Sequence, residues 1–470
     1  MFLSRKHQKQ NGGSLMNQII QSFMEKGIKN LIGKVLRLIK EGNGLSEIVS
    51  EIKKATDELG REICVEVIES LDDSIRKDPG RKKDWNVERR NEGNTIITKL
   101  GAISYNRTYY KSKNGKSHRH LVDEILGVDP HTRIDDEIYA ELAEAASNLS
   151  YRQAGDNVGE VEISGQTVMK SVRGIEKLKL EKIPVDKKAV EIIYVEADED
   201  HIALQSGKSA MPHLVYVHEG IDMQGRRKLK SPYYFANLKE KPGDLWQEVY
   251  EYIEDNYEID KIKRIYLSGD GAAWIRQGLD YLPRAKFVLD KYHMNKYVTK
   301  ATAHMKKYAS DIWNCIKEAD LEGLGLIFNE LYLATESESK RKEIKGSWDY
   351  FNNNWDGIKV RKEESKYIVG CSAEGHNSHI LASRMSSRPM GWSKDGADKM
   401  ARLRAFKAND GKVIDFIKAQ KKEKKLYSVT KQLIRTTQIG LKSKINDNPC
   451  NLEVFKIGRI TGLYRALKAI

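Results

Sequence analysis

The stretch that decides the fold is KIKRIYLSGDGAAWIRQGLDYLPRAKFVLDKYHMNKYV, residues Lys261–Val298. It contains two short apolar runs, Ile265–Leu267 and Phe287–Leu289, and each is followed by an acidic residue, Asp270 or Asp290. Apolar runs of this length, bounded by Gly or Pro, are typical of buried strands. The amphipathic segment between them, Ala272–Leu282, predicts a helix. A strand, a helix and a second strand form the βαβ unit of a parallel sheet, whose carboxyl edge is where open α/β sheets bind ligands.

Upstream of this unit, three strand patterns follow one another without helices between them. They are Glu191–Val195, Leu214–Val217 and Lys228–Phe235, and Leu245–Ile253 then has the periodicity of an amphipathic helix. Consecutive strands joined by short turns predict an antiparallel meander. The order β-β-β-α-β-α-β predicts an α/β fold with an RNase H-like mixed sheet. We place this core in residues 186–298 and 363–395, with an all-helical insertion at residues 299–362.

The N-terminal part of the chain is predicted to be helical first and then mixed. Apolar residues recur at helical spacing over Met16–Ile39 and again from Ile48 to Val67. Residues 1–90 are therefore predicted to form a helical hairpin that supports oligomerisation, with a membrane-surface helix as the alternative. The polar segment Gly80–Gly93 is predicted to be a linker, and Thr95–Tyr110 a β-hairpin turning near Gly101.

Three helical signals in residues 135–176 predict a helix-turn-helix within a region that spans residues 91–185. Ser150 and Ser164 are placed to cap the second and third helices. The exposed face of the third helix would present side chains suited to base and phosphate contacts. These are Gln166, Thr167, Lys170 and Arg173. Three helices packed together without any role in DNA binding are an equally weighted alternative.

The charge of the chain favours a polyanionic partner. The formal net charge is +14, and residues 394–444 contribute 15 Lys and Arg against 5 Asp and Glu. Within the basic helical C-terminal region, residues 396–470, a cluster of lysines is expected to contact the DNA backbone, although such runs are usually solvated. The cluster consists of Lys421, Lys422, Lys424 and Lys425. The four cysteines form no Cys-x-x-Cys pair, and no apolar segment reaches the about 18 residues of a membrane span, so we expect a cytoplasmic protein.

Three acidic residues are candidate metal ligands. Asp198 ends the first strand of the predicted sheet, Asp270 follows the fourth, and Glu374 enters a late helix. Hard divalent ions such as Mg²⁺ prefer carboxylate oxygens, and two such ions can stabilise an in-line phosphoryl displacement. The sequence thus predicts two ions of Mg²⁺, or Mn²⁺, at this edge. Asp200 is an alternative to Asp198, because residues two apart face the same side of a strand.

Two further groups of polar residues lie close to these acids. Asp290 and His293 have the spacing of one helix face, where they could orient a ligand, but a helix cap with a satisfied histidine is the simpler interpretation. Cys371, His376 and His379 surround Glu374 and raise the idea of a zinc hydrolase. Their spacing matches no zinc motif, which argues against that site.

Several blocks of the sequence resemble the ISLre-type bacterial insertion-sequence transposases, which are relatives of the Mutator-like DDE transposases. These blocks are EADEDHIALQ, YLSGDGAAWI, VLDKYHMNKYV and GCSAEGHNSHILASRMSSRPMGWS, together with TKLGAISYNRTYYKSKNGKSHRHLVDEILGVDPHTRI near the N-terminus. The resemblance covers residues 90–395. It implies that Asp198, Asp270 and Glu374 form a DDE triad and that Asp290 and His293 form an auxiliary motif. A helical insertion ahead of the glutamate is also a trait of those relatives.

The same resemblance implies an activity and its partners. The protein would cut DNA at the terminal inverted repeats of an insertion sequence and join the freed 3′-hydroxyl to target DNA. It would act as a homo-oligomer assembled on DNA in the bacterial nucleoid, without a membrane partner. Two alternatives stay open: an inactive or domesticated DNA-binding protein, and a metal-dependent nuclease without strand transfer.

Overall fold

The computed structural model describes residues 29–159, 161–175, 178, 186–222, 228–388 and 390–422. These residues belong to two compact units. The first unit contains the described residues up to Ile138, together with Gly159, Val161 and the described residues from Lys418 onward. The second unit contains Tyr139–Val158 and the described residues of Glu162–Ile417.

The described part of the first unit begins with two helices that pack against each other. Helix α1 covers Lys29–Lys40 and helix α2 covers Leu45–Lys77, which confirms the second helical pattern. The part of the first pattern before residue 29 lies outside the described residues. A single turn, α3 (Arg81–Asp84), leads into the strands.

A three-stranded antiparallel sheet follows, formed by β1 (Trp85–Thr98), β2 (Gly101–Ser112) and β3 (His118–Arg119). The predicted hairpin is confirmed, but the predicted linker is wrong, since β1 already begins at Trp85. Its polar residues are held by pairing with the tyrosine-rich β2; the guanidinium of Arg89, for example, lies 4.6 Å from the ring centroid of Tyr109.

Four helices lead from this sheet to the second sheet: α4 (Leu121–Leu126), α5 (Asp136–Ala146), α6 (Tyr151–Asn157) and α7 (Gly165–Gly174). Both predicted caps are confirmed, because Ser150 and Ser164 accept hydrogen bonds from the backbone N–H groups three residues later. Helices α6 and α7 approach closely at Gly155. A Cβ atom there would lie 1.9 Å from the carbonyl oxygen of Ile163, so only glycine fits.

The second unit is built on a mixed five-stranded sheet. The main sheet contains β4 (Ile192–Glu199), β7 (His213–His218), β10 (Tyr233–Asn237), β11 (Arg264–Gly269) and β12 (Ala285–Leu289). Two separate small pairs are formed by β5 (Ile202–Ala203) with β6 (Ser209–Ala210) and by β8 (Ile221–Asp222) with β9 (Lys228–Leu229). The order in the main sheet is β10-β7-β4-β11-β12. The pairs β10–β7 and β7–β4 are antiparallel, whereas β4–β11 and β11–β12 are parallel. The antiparallel order of the predicted meander and the parallel unit are both confirmed, but the strand predicted over Lys228–Phe235 is divided between β9, which pairs with β8, and β10, which joins the main sheet.

The helices next to these strands are α8 (Pro242–Asn256), α9 (Ala273–Arg276) and α10 (Gly278–Tyr281). The helix predicted over Ala272–Leu282 is thus divided into two single turns. Gly278 begins the second turn and lies against the core, where a Cβ atom would meet the ring of Trp246 at 2.9 Å. This contact packs Gly278 directly against α8, which carries Trp246. The apolar periodicity of the sequence does not indicate this tertiary contact.

Residues 299–362 are helical apart from their connections, as their periodicity predicts. The helices are α11 (Lys291–Thr302), α12 (Ala309–Glu318), α13 (Leu321–Leu333), α14 (Glu338–Asn353) and α15 (Trp355–Glu363). Buried Phe351 and Trp355 belong to the same apolar cluster as Val195, Leu267 and Leu289 of the sheet. The helical segment therefore shares one core with the sheet.

The last described elements are α16 (Ala373–Asn377), a π-helical turn at Ser378–Ala382, α17 (Ser383–Met385), α18 (Lys394–Ala408) and α19 (Val413–Lys422). None of the described helices has the length and hydropathy needed to cross a lipid bilayer.

Candidate active site

The carboxyl edge of the main sheet brings three aspartates side by side. The parallel register of β4 and β11 pairs Glu196 with Ser268, and two residues further along each strand come Asp198 and Asp270. The last pair of β11 and β12 is Gly269 with Leu289, so Asp290 is the next residue beside Asp270. Adjacent parallel strands thus place Asp198, Asp270 and Asp290 in one row.

Glu374 reaches the same edge from helix α16. Three positions after Glu374 and therefore on the same side of the helix, Asn377 donates from Nδ2 to Asp198 Oδ2 at 3.1 Å and to the Glu199 carbonyl oxygen at 2.8 Å. Glu374 itself is exposed. The structure thereby brings all three predicted ligands to one edge, although they are 72 and 104 residues apart in sequence.

Burial dominates the electrostatics of Asp198. Removal of the carboxyl group from water, reinforced by the negative charge of Glu374, raises the pKa of Asp198 to about 7, although Asn377 and His293 favour the ionised form. Asp270 is less enclosed, and its Oδ1 accepts from the N–H of Ala272 at 2.8 Å. That bond uses one of the two carboxylate oxygens.

Asp200, the alternative first ligand, uses one carboxylate oxygen in hydrogen bonds, and its buried Oδ2 has no hydrogen-bond partner among the described residues. Its Oδ1 accepts hydrogen bonds from Ser386 Oγ and from the N–H of His201, both at 2.9 Å. Asp198, in contrast, contacts the helix that carries Glu374. The geometry therefore favours Asp198 over Asp200 as the partner of Asp270.

Asp290 and His293 form a hydrogen-bonded pair at the start of α11. Asp290 caps the helix by accepting from the N–H of Tyr292, and its Oδ2 lies 3.1 Å from His293 Nδ1. Burial alone would lower the pKa of His293, but the bond to Asp290 and the charges of Asp270 and Asp198 outweigh it and raise that pKa. The cap of the simpler interpretation is present, and the imidazole also lies within the field of the acidic row.

The donor chemistry of the edge suits a hard divalent cation, since Asp198, Asp270 and Glu374 all offer carboxylate oxygens. The three are neighbours and not a closed cage: among the described residues, no three His, Cys, Asp or Glu side chains are grouped tightly enough to hold a metal ion. Mg²⁺ retains several waters and needs only one or two carboxylates, so the donor set fits that ion.

The residues considered as zinc ligands have other surroundings. Burial raises the pKa of the Cys371 thiol, and His376 Nδ1 lies 3.0 Å from the Tyr234 hydroxyl.

The residues predicted to contact DNA differ in exposure, and two of them lie outside the described residues. On α7, Gln166 and Lys170 are exposed and Thr167 is half-buried. Arg173 instead donates to Ser393 Oγ at 2.7 Å, at the start of α18. Lys421 and Lys422 end α19, whereas Lys424 and Lys425 lie outside the described residues.

Beside the acidic row lies a second polar group that the sequence reading missed. Trp274 of α9 stacks on His213 with ring centroids 4.1 Å apart, and its indole N–H donates to Glu199. Burial, helped by the charge of Asp270, raises the pKa of Glu199. Only the position of His213 at the start of β7 could have indicated this cluster, because an antiparallel neighbour of β4 begins where β4 ends.

The half-buried histidine of this group predicts a pH-dependent stability. Burial lowers the pKa of His213 from 6.5 to about 4, so between these values the unfolded chain binds a proton that the folded chain does not. Stability is therefore expected to fall as pH falls from 6.5 to 4, by up to about 3 kcal/mol. Urea unfolding of the wild type and of His213→Gln at pH 7 and pH 4.5 tests this. The variant should lose less stability on acidification, and an equal loss in both proteins would contradict the assignment.

The chain is similar in sequence to proteins grouped as an uncharacterised protein family, UPF0236, whose family model matches residues 38–425. UPF0236 protein TTE2489 of Caldanaerobacter subterraneus subsp. tengcongensis is 42% identical over 436 residues, which cover 92% of this chain and 94% of that protein. A second protein of that organism, whose name joins eleven designations from TTE0033 to TTE2212, is 41% identical over 92% of this chain and 93% of its own length.

A more distant relative is named UPF0236 protein in vanSb 3'region, from Streptococcus gallolyticus. It is 24% identical over 395 residues, which cover 80% of this chain and 85% of that protein. The family model spans most of the chain, and the two Caldanaerobacter proteins match nearly its full length. The chain therefore belongs to the uncharacterised protein family UPF0236.

Proposed function

We propose that the protein is a DDE transposase that cuts DNA at the ends of an insertion sequence and joins them to target DNA. The observation that carries the proposal is the row of carboxylates at the edge of the sheet. Asp198 and Asp270 lie side by side on adjacent parallel strands, and Asn377 ties the helix of Glu374 to Asp198. An oxygen-rich edge of this kind suits phosphoryl transfer with Mg²⁺ or Mn²⁺.

The architecture supports an RNase H-like core. The first three strands of the main sheet are antiparallel neighbours, the fourth and fifth run parallel to the first, and the first strand is central. This arrangement matches the order expected from the sequence, with the acids at strand ends. The helical segment between the fifth strand and Glu374 agrees with the insertion expected of Mutator-like relatives.

In the proposed reaction, the side chains position charge. Asp198, Asp270 and Glu374 would hold the cations, which supply the Lewis acidity that phosphoryl transfer requires. Asp290 fixes the ring of His293 through the bond to Nδ1, so that the imidazole keeps one orientation beside the acids. Catalysis would then depend on alignment and on neutralisation of the phosphate charge.

DNA is the proposed partner, and the charge of +14 supports it. Helices α6 and α7 pack closely at Gly155 and leave Gln166 and Lys170 exposed on α7, which agrees with a helix-turn-helix that reads terminal repeats. The basic C-terminal region would add contacts to the DNA backbone. Assembly as a homo-oligomer on DNA and a place at the nucleoid are parts of the same proposal.

The name of one relative is consistent with mobility. It joins eleven designations within one organism. If each designation is a separate gene, that relative is present in many copies, as a self-copying element would be. The number of near-identical copies of the present gene, and the inverted repeats beside it, can be compared with this expectation.

The experiment that tests the proposed function uses a supercoiled plasmid that carries the DNA flanking the gene. The purified protein should cut at the boundaries of the element with Mg²⁺ and should not cut in the presence of EDTA. Products joined to a second plasmid indicate transposition, whereas cutting without joining indicates a nuclease. Specific binding without cutting would indicate a domesticated DNA-binding protein.

A substitution on α7 tests the DNA-binding surface. Lys170→Ala should weaken binding to terminal DNA and reduce the slope of log K against log salt concentration by about 1, because one phosphate contact is lost. Lys263→Ala is the matched control, since Lys263 is an exposed lysine at the amino end of β11, the opposite edge of the sheet. Fluorescence anisotropy at several salt concentrations measures both. An unchanged slope in Lys170→Ala would remove this residue from the interface.

A further inference from the structure

A buried carboxylate two residues before Asp198 has no part in the proposed chemistry but is extensively hydrogen-bonded. Glu196 of β4 is 2% exposed. It accepts from the Tyr216 hydroxyl, from His218 Nε2 at 3.0 Å, from the N–H of Ser372 at 2.6 Å and from Ser372 Oγ at 3.2 Å. A buried charge requires such partners, and here two of the donors come from a residue 176 positions away.

Ser372 directly precedes helix α16, and Glu374 is its second residue. Helix α16 continues through the π-helical turn and α17 to Met385, and a helical segment of this length is only marginally stable in isolation, so tertiary contacts must hold its first turn. Before Glu374 the contact is Ser372 with Glu196. After it, His376 Nδ1 lies 3.0 Å from the Tyr234 hydroxyl, and Asn377 donates to Asp198. Glu374 is thus held in place from both sides while its own side chain stays exposed.

We infer that Glu196 is a positioning residue that fixes Glu374 relative to Asp198 through Ser372. Glu196 and Asp198 lie on the same face of one strand, because residues two apart in a strand point the same way. One rigid element therefore supplies the first acid directly and fixes the backbone that carries the third. This inference rests on the proposed function, since the distance matters only if both acids serve one site.

Glu196 is not itself a further ligand. Its oxygens face the Tyr216, His218 and Ser372 donors, and His218 is completely buried. A cation at Glu196 would have to displace those donors. The function left to this carboxylate is to hold the segment that leads into α16.

The test substitutes Glu196→Gln, which keeps the shape but removes the negative charge and replaces one acceptor oxygen with an amide donor. Either the His218 donor on Oε1 or the Ser372 and Tyr216 donors on Oε2 then lose their acceptor, and the remaining bonds are no longer charge-assisted. The Mg²⁺ concentration for half-maximal DNA cleavage should rise about 10-fold, because residues behind metal ligands typically have effects of this size. Amide hydrogen exchange of residues 372–377 should also accelerate. Tyr216→Phe removes a single donor and should shift both readouts in the same direction by less, which keeps the test usable if Glu196→Gln folds poorly.

The matched control is Asp398→Asn. Asp398 is also a buried carboxylate that accepts two backbone hydrogen bonds, from Leu238 at 2.8 Å and Lys239 at 2.9 Å, but it lies on α18. This variant should lose stability without a change in the Mg²⁺ midpoint. An unchanged midpoint and unchanged exchange in both Glu196→Gln and Tyr216→Phe would overturn the inference. Absence of cleavage by the wild type would instead refute the proposed function, and the exchange measurement would still decide whether Glu196 holds the segment.

Discussion

Asp270→Asn is expected to reduce Mg²⁺-dependent DNA cleavage by more than about 100-fold while the fold stays intact, since loss of a ligand should exceed the 10–100-fold typical of residues behind one. The asparagine carbonyl oxygen can still accept the bond from the N–H of Ala272, so the turn after β11 is kept. What disappears is the negative charge that would face the cation. Cleavage rates over a range of Mg²⁺ concentrations, together with thermal unfolding, measure the two effects separately.

Glu374→Gln should also reduce Mg²⁺-dependent cleavage by more than about 100-fold. Its fold should stay intact, because the Glu374 side chain is exposed and contributes little to stability. The matched controls are Asp280→Asn on α10 and Glu363→Gln on α15, two exposed acids outside the acidic row. Both should cleave at nearly the wild-type rate. If either site variant cleaved as well as its control, the assignment of the acidic row as the catalytic centre would be wrong.

Gly271→Ala is expected to have the largest effect on stability at the site, with a loss of about 2–4 kcal/mol. Gly271 follows Asp270 and has a φ of +91°, a conformation that side chains disfavour. A Cβ atom there would also lie 2.1 Å from Asn354 Oδ1. That oxygen accepts from Arg276 Nε and Nη2 at 3.3 and 3.1 Å, so it cannot move without breaking those bonds. Urea unfolding measures the loss.

Two further variants separate the causes. Gly346→Ala in helix α14 is the matched control, since a Cβ atom there meets nothing within 4 Å, and alanine should be neutral or stabilising by up to about 1 kcal/mol. Adding Asn354→Ala to Gly271→Ala removes the steric clash but leaves the backbone strain. The second substitution should therefore destabilise the Gly271→Ala background less than it destabilises the wild type. Strict additivity would show that the contact contributes nothing.

The sequence predicted those parts of the structure that local pattern controls. The strands at Ile265–Leu267 and Phe287–Leu289 were evident because apolar runs bounded by turn residues can bury both faces. The helix caps at Ser150 and Ser164 were evident because the cap chemistry is local. The acidic row followed from a general rule, namely that parallel strands end at the same edge.

Other features depend on contacts between distant residues. The strand at Trp85 contains mostly polar residues, and it forms because β2 pairs with it. Glu196 is one of several acids in EADED, and its function depends on Ser372, which the sequence does not connect with it. The two-residue period of a strand indicates that Glu196 and Asp198 lie on one face. It does not indicate which donors surround Glu196.

The most direct test of the central claim is the joining of a pre-cut DNA end to target DNA. A labelled duplex that carries the terminal sequence of the element with a free 3′-hydroxyl is incubated with the protein, a target plasmid and Mg²⁺. We expect label to become covalently linked to the plasmid with the wild type, and not with Asp270→Asn or Glu374→Gln. Joining at the wild-type level by either variant, or no joining by a wild-type protein that binds the duplex, would contradict the proposed function.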